Sequence, residues 1–361
     1  MSTTNESAER LAAQRLHVVV PPRAETERDR VSATPASRRA RPPLGQGLRT
    51  PLSHRIGELA IHAMALAAVL AIALIFLFIA REALPILFDV AAQEEIGGLS
   101  SLVLPRQWPG YEEAAYVWQP VGEIAKLNVV PLFVGTLKVT VLSIAFAVPL
   151  AVGAAIYVSQ YASRRAREIL KPAIELLASI PSVVLGFFAL ILLATFVQEV
   201  LGTTYRLNVI VASLGLTLAI APLVFTISED ALSSVPKDLV HAALALGARK
   251  HQVVLRVVLP AALPGIAAAV ILGVGRAIGE TLVVLMASGN AAVVELFDPT
   301  TSARTVTATI AAELGEVTQG DPHWRVLFLL GTMLFVVTFV LNRAGAAVID
   351  RLHRRLSGGA S

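Results

Sequence analysis

Polar residues fill the first 55 or so positions, and beyond them long apolar runs alternate with short polar connections. Six apolar segments stand out, at about 57–80, 129–158, 173–200, 208–227, 260–288 and 325–349. Each is long enough, at about 1.5 Å per helical residue, to cross the roughly 30 Å hydrocarbon core of a bilayer. The pattern predicts an all-α, polytopic membrane protein with six transmembrane helices. Pro131, Pro149, Pro181, Pro222 and Pro264 lie in or beside these runs, among many glycines and alanines. Small residues let membrane helices approach closely, and prolines bend them where neighbours satisfy the freed carbonyls. Gly275 and Gly279 form a GxxxG pair, read here as packing inside a bundle rather than as a dimer face.

Charge decides the orientation. Arginines 38, 39, 41, 49 and 55 precede the first run, and Arg164, Arg165, Arg167 and Lys171 separate the second from the third. Lys237, Arg249, Lys250 and Arg256 separate the fourth from the fifth, and Arg351, Arg354 and Arg355 follow the last. The intervening connections are acidic, with Glu94, Glu95, Glu112, Glu113 and Glu123 in one and Glu295, Asp298, Glu313, Glu316 and Asp321 in another. Basic connections stay on the cytoplasmic side, so both termini are expected in the cytoplasm. The net charge of +4 is then a property of those connections, not a nucleic-acid footprint, since basic and aromatic residues do not cluster. No cysteine is present, which excludes disulfides and thiolate metal sites. The expected division is a disordered Arg-rich tail over 1–55, the first span with an outer loop over 56–128, a five-span core over 129–350, and a short tail over 351–361. The tail's arginines fit contact with an anionic inner leaflet, and the first apolar run begins too late for a secretory signal.

The fourth connection reads SEDALSSVPKDLVHAALALGARKHQVVLRVVLP, residues 228–260. Pro236 at a helix start, Asp238 in the first turn and Gly247 at the end predict a short helix. A second helix from about 249 leads through Leu259 and Pro260 into the fifth span. On these features alone the elbow reads as an interfacial helix resting on headgroups rather than as a docking element.

The fifth span holds the chemistry. In GVGRAIGETLVVLMASGN, residues 273–290, Arg276 and Glu280 interrupt an apolar stretch. Each charge at the centre of a lone span costs roughly 2.5–3.5 kcal/mol, so neither is expected to face lipid. Four residues apart, they are predicted to share a helix face, where they can pair. A buried pair fixing the packing and a charge pair marking a pathway are both open; in membranes the latter is the commoner use. Lys138 in the second span adds a third charge, which either joins Arg276 in an anion-favouring cavity or snorkels outward. The seven histidines form no HExxH, and no GxxxxGK[ST] phosphate loop occurs, so neither metal hydrolysis nor ATP binding is expected of this chain.

Two groups of motifs carry a family resemblance. His241-Ala242-Ala243, Gly247 four residues on, then Val257, Leu259 and Pro260 resemble the EAA loop of ABC importer permeases, with His241 where that family has Glu. The resemblance implies coupling helices that dock on an ATPase subunit. GRAIGETL at 275–282, IPSVVLGFFAL at 180–190, AVPLAVGAAIYVSQYA at 147–162 and LFDPTTSARTVTATIAAELGEV at 296–317 together resemble a phosphate-specific ABC transporter permease of the PstC type. This resemblance implies a type I importer permease in a bacterial inner membrane and no catalytic group or cofactor in this chain. It also implies a PstA-type second permease, an ATPase pair that binds ATP, and a phosphate-binding protein as partners. In that family the Arg and Glu of RAIGET are implicated in anion passage; they map onto Arg276 and Glu280. Molybdate and sulfate permeases, and less closely a secondary phosphate transporter, are the alternatives.

Overall fold

The computed structural model describes residues 52–108, 111–122 and 124–357. The polar tail up to residue 51 and residues 358–361 lie outside the described residues. The chain divides into two units, residues 1–66 and residues 67–361. Helix α1 is Leu52–Phe88, so helix begins a few residues before the expected end of the tail. In the first unit His62 is exposed, and its Nδ1 lies 2.7 Å from the Glu58 carbonyl one turn earlier.

In the second unit, short helices α2 (Val90–Glu95) and α3 (Leu99–Val103) and a hairpin of β1 (Trp118–Gln119) with β2 (Lys126–Leu127) fill the loop after the first span. Helix α4 (Val130–Ile156) runs on through a π-helical turn, Tyr157–Tyr161. Helix α5 (Arg164–Ala178) is capped by Ser163, whose hydroxyl accepts from the Ala166 N–H. Then come α6 (Ser182–Phe188), a π turn (Ala189–Leu193), α7 (Ala194–Leu201) and α8 (Val209–Ser233). Asn208 caps α8 by accepting from the Val211 N–H at 3.0 Å, which satisfies one orphan amide of the first turn. The elbow is α9 (Lys237–Ala245) and α10 (Lys250–Val253), joined by π turn Val254–Val258 to α11 (Leu259–Gly279). Helices α12 (Leu282–Ala287), α13 (Val306–Glu313) and α14 (Pro322–Ser357) complete the chain.

Six helical stretches are long and apolar enough to cross a membrane: 56–88, 130–161, 182–201, 209–233, 250–279 and 322–352. The expectation of six spans holds; the first runs on to 88, the fifth begins at 250, and two further boundaries move with consequences for the site. The third apolar run was expected from 173, but the helix stops at Ala178 and restarts at Ser182, leaving α5 outside the span. Pro181 explains this, since it holds the preceding residue out of helical geometry. The fifth run was expected to continue to 288, but it breaks after Gly279.

Helix α8 is the central element: more than half of its apolar window is buried, while the other spans keep mostly apolar side chains on the outside. Leu70, Ile72, Leu74 and Ile75 of α1 are examples, each more than half exposed, as lipid-facing residues should be. Close approach around α8 uses small residues. A Cβ added at Gly265 of α11 would lie 2.4 Å from the Ala231 Cβ, so only glycine lets these two backbones meet there. The GxxxG pair packs differently from its motif: Gly275 faces Asn342 of α14 at ordinary distance, and Gly279 has open space beside it.

Candidate functional site

The depth of Arg276 follows from helix register. Gly273, one turn earlier on α11, lies against Ile220 and Val224 of α8, and Ile220 is close to the midpoint of that 25-residue helix. Arg276 is therefore carried to about half the depth of the bundle. It is exposed on this chain, and no hydrogen bond or ion pair to it occurs among the described residues. It occupies the last turn of α11, where the negative end of the helix dipole favours a cation.

Glu280 does not pair with it. The residue lies past the end of α11 with φ −71° and ψ 131°, an extended backbone, so the shared helix face predicted from the four-residue spacing does not exist. Its N–H reaches the Ala277 carbonyl at 3.3 Å, and its carbonyl accepts from the Thr307 hydroxyl at 2.9 Å. The chain bends here and resumes as α12, which packs into α6: a Cβ on Gly186 would lie 2.7 Å from the Met286 Sδ and 3.3 Å from the Leu282 carbonyl oxygen. The break opens beside a cleft of about 630 Å3 lined by Thr281, Thr307, Ile310, Ala311, Leu314 and Trp324 among others. The arrangement is a broken membrane helix whose end presents a guanidinium without a partner among the described residues, with a carboxylate just beyond the helix end.

Lys138 is held elsewhere. Its ammonium donates to the Asp298 carbonyl at 2.8 Å and to the Thr301 hydroxyl at 3.1 Å, tying α4 to the loop that follows α12. The Asp298 carboxylate itself accepts from the Thr300 hydroxyl and N–H at 2.6 and 2.8 Å, and these bonds hold its pKa below the usual carboxylate value. Lys138 and Arg276 share no bond.

The elbow has the predicted helix–glycine–helix form. Gly247 has φ +84°, a left-handed conformation that ends α9 without a side-chain penalty. Its residues divide into two sets. His241, Ala242 and Gly247 are exposed, whereas Ala243 and Leu259 pack partly against the core and Pro260 begins α11 half-buried. Leu239, Leu244 and Leu246 leave an exposed apolar edge on the elbow, with Leu246 90% exposed.

Two charged clusters were not read from the sequence as sites. On the elbow side, Glu229 of α8 is fully buried. Its Oε2 accepts from Lys171 Nζ at 2.7 Å, and its Oε1 accepts from the Ser233 hydroxyl at 2.8 Å and from the Arg167 guanidinium. The bond to Glu229 raises the Lys171 pKa above its ordinary 10.5. On the opposite side, Glu313 accepts from Arg304 and from the Trp118 indole N–H at 3.1 Å, and its other oxygen lies 2.8 Å from His323 Nε2. The sequence places Glu229 just past the apolar run that ends at 227, and only the structure extends α8 over it to Ser233. Its partners lie some sixty positions earlier, and spacing does not reveal them.

Comparison with known proteins gives the family and the fold. Residues 128–358 match the family described as binding-protein-dependent transport system inner membrane component. The chain is 36% identical to the probable ABC transporter permease protein YqgH of Bacillus subtilis (strain 168), over 62% of this chain and 72% of that protein. It is 33% identical to the phosphate transport system permease protein PstC of Mesorhizobium japonicum, over 66% and 77%. The value is 31% for PstC 1 of Mycobacterium tuberculosis, over 66% and 76%. A crystal structure of a bacterial alginate ABC transporter in complex with an alginate pentasaccharide-bound periplasmic protein is similar in fold, with a TM-score of 0.53 at 17% identity, covering 84% of this chain and 97% of that one.

Proposed function

The chain belongs to the binding-protein-dependent transport system inner membrane components, and we propose that its cargo is inorganic phosphate. It is a multi-pass membrane transport subunit with the fold of ABC importer permeases, not an enzyme, and its family works with an ATPase and a substrate-binding protein. The finer assignment is that of a PstC-type subunit forming half of the pathway beside a PstA-type chain. The similarity to PstC proteins supports it. In this reading the elbow and both termini face the cytoplasm, which the alternation of basic and acidic connections supports. ATP binds on the partner ATPase pair, docked against the elbow around His241, Ala242, Ala243 and Gly247, with Leu259 and Pro260 fixing where α11 leaves it. The exposed edge of Leu239, Leu244 and Leu246 gives that dock apolar area to bury.

The single observation that carries the anion reading is Arg276: a guanidinium at half depth, exposed, with no bonded partner among the described residues. A charge in that position is tolerable only if a second chain, water or a passing anion covers it. A guanidinium offers two parallel N–H donors to a tetrahedral oxyanion. Glu280, just beyond the break, opposes the anion's charge and keeps its residence short, as conduction requires weak contacts. Lys138, committed to the loop at Asp298 and Thr301, holds the shape of the outer opening.

The test is labelled-phosphate uptake into proteoliposomes holding this chain with its partner permease, ATPase and binding protein, with sulfate and molybdate as competitors. The expected result is ATP-dependent phosphate uptake that Arg276→Ala abolishes while the complex still assembles. Uptake blocked better by sulfate or molybdate would reassign the cargo, and uptake indifferent to Arg276 would remove the arginine from the pathway.

A further inference from the structure

Glu229 is the only charged residue among the described residues that is fully buried, and the transport reading above gives it no task. It lies four residues before the end of α8, just above the elbow. Both of its oxygens are taken by groups from outside its own turn: Lys171 on Oε2, and Arg167 on Oε1, with Ser233 supporting the second. Arg167 also donates to the Ser233 hydroxyl at 2.8 Å, and Lys171 reaches the Asp230 carboxylate at 3.3 Å. Four bonds from two consecutive turns of α5 thus end on one turn of α8. A buried carboxylate held by two cations is costly to form and more costly to leave half-made, so it is poorly explained as plain stabilisation.

Its neighbours give it a direction. Arg167 and Ser233 also line a cavity of about 200 Å3 whose other walls include Lys237, Val240 and His241 of the elbow helix α9. The far end of α5 leads through Ser179–Pro181 into α6. Helix α6 carries Gly186, against which α12 packs immediately beyond the break at Glu280. Elbow, clamp, α5, α6, α12 and break are therefore consecutive physical neighbours.

We propose that Glu229 is a positioning residue for transport: with Arg167 and Lys171 it clamps α5 to α8, so that movement of the elbow is delivered through α5 and α6 to the broken helix beside Arg276. The clamp acts on the coupling of ATP hydrolysis to passage and not on the anion. It rests on the reading of the elbow as the ATPase dock and is indifferent to which oxyanion is carried.

The experiment uses the assembled permease–ATPase complex with its binding protein. Glu229→Gln keeps the volume and one acceptor but removes the charge. The expected result is an assembled complex with a basal ATPase rate within about twofold of wild type. Stimulation of hydrolysis by loaded binding protein and maximal uptake both fall at least tenfold, while the KM for phosphate stays within about twofold. A second arm needs no buried charge. Since the chain has no cysteine, Lys171→Cys with Asp230→Cys, joined by a short bis-thiosulfonate, ties the same two helices covalently. The tie is expected to leave uptake intact in an otherwise wild-type chain and to restore at least half of it to Glu229→Gln. The proposal is overturned if Glu229→Gln transports normally, if it raises KM without lowering maximal uptake, or if the covalent tie itself stops transport. It is equally overturned if the tie restores assembly of Glu229→Gln but not stimulation. Failure of the elbow reading is distinguishable, because the wild-type complex would then show no stimulation by binding protein at all.

Discussion

Two charges in this bundle are handled in opposite ways. Glu229 near the elbow is buried and bonded on both oxygens by Arg167, Lys171 and Ser233. Arg276, at half depth on α11, is exposed and has no bonded partner among the described residues. Both sit in segments where a bare charge is expensive. The chain resolves the first internally, so that charge is part of its own architecture. Among the described residues it leaves the second unresolved, so compensation is expected from beyond them: a second permease, water, or cargo. Burial with partners marks a joint, and exposure without partners at depth marks a surface that meets something else.

The sharpest break of this contrast is Glu229→Ala. It removes the shared anion of Arg167 and Lys171, both partly exposed, and opens space at a fully buried position, so a loss of about 2–4 kcal/mol is expected from lost packing and hydrogen bonds. Thermal unfolding of the detergent-solubilised complex measures it, and a shift no larger than that of a surface variant would make the clamp dispensable. Arg276→Ala should do the reverse. Nothing among the described residues bonds to it, so stability is expected to stay within about 0.5 kcal/mol. Phosphate uptake is expected to fall by about two orders of magnitude, the equivalent of about 2.7 kcal/mol at the conversion of about 1.4 kcal/mol per tenfold.

Lys138→Met ranks next. It removes two hydrogen bonds from the loop around Asp298 and Thr301, so a loss of roughly 1–3 kcal/mol is expected with little change in KM for phosphate. A large KM change would return Lys138 to the anion path. Orientation offers a smaller, binary check. With no native cysteine, Leu246→Cys and Phe297→Cys are single labelling sites at positions 90% and 92% exposed. An impermeant maleimide added outside whole cells is expected to label Phe297→Cys only, provided the outer layers admit it, and inverted vesicles Leu246→Cys only.

The smallest effect expected is that of pH on the clamp. Lys171 has a folded pKa above 10.5, so its contribution is fully present below the unfolded value and is lost only as pH rises through the higher folded one. Thermal stability should therefore be flat with respect to this group across neutral pH and decline only in alkali. Asp298 has the opposite sign. Its carboxyl is depressed below 3.8, so its contribution is present above that value and disappears only in acid as pH falls through the folded pKa. A stability change near neutrality would have to come from a different group.

Much of the candidate site was legible in the sequence, and the failures are informative. Arg276 was conspicuous because an arginine inside an apolar run has no bland place to go. The elbow was legible because Pro236 and Gly247 bracket α9 with local chemistry alone, and Gly247 takes the left-handed conformation such an ending requires. The break after Gly279 was not legible. IGETLVV continues the apolar pattern, and the chain bends there in a setting supplied by distant groups: the Thr307 hydroxyl on the Glu280 carbonyl, and Gly186 making room for Leu282 and Met286. The pairing of Arg276 with Glu280 failed for that reason, since spacing of four means a shared face only while the helix lasts. The hold on Lys138 was not legible, because its partners are the backbone and hydroxyl of a loop some 160 positions later.

The sequence by itself determined that this chain crosses a membrane six times, where its elbow turns, and that a guanidinium is carried into the fifth span. Those properties follow from local apolar length, local capping and the cost of a charge in hydrocarbon, all of which act within a few turns. Only the tertiary structure decided which charges are satisfied. It closed Glu229 into a clamp, fixed Lys138 to a loop and broke the fifth span beside Arg276, leaving that arginine open. Each outcome depends on groups tens to hundreds of positions away, and the energy of an ion in a membrane is set by what folding places next to it.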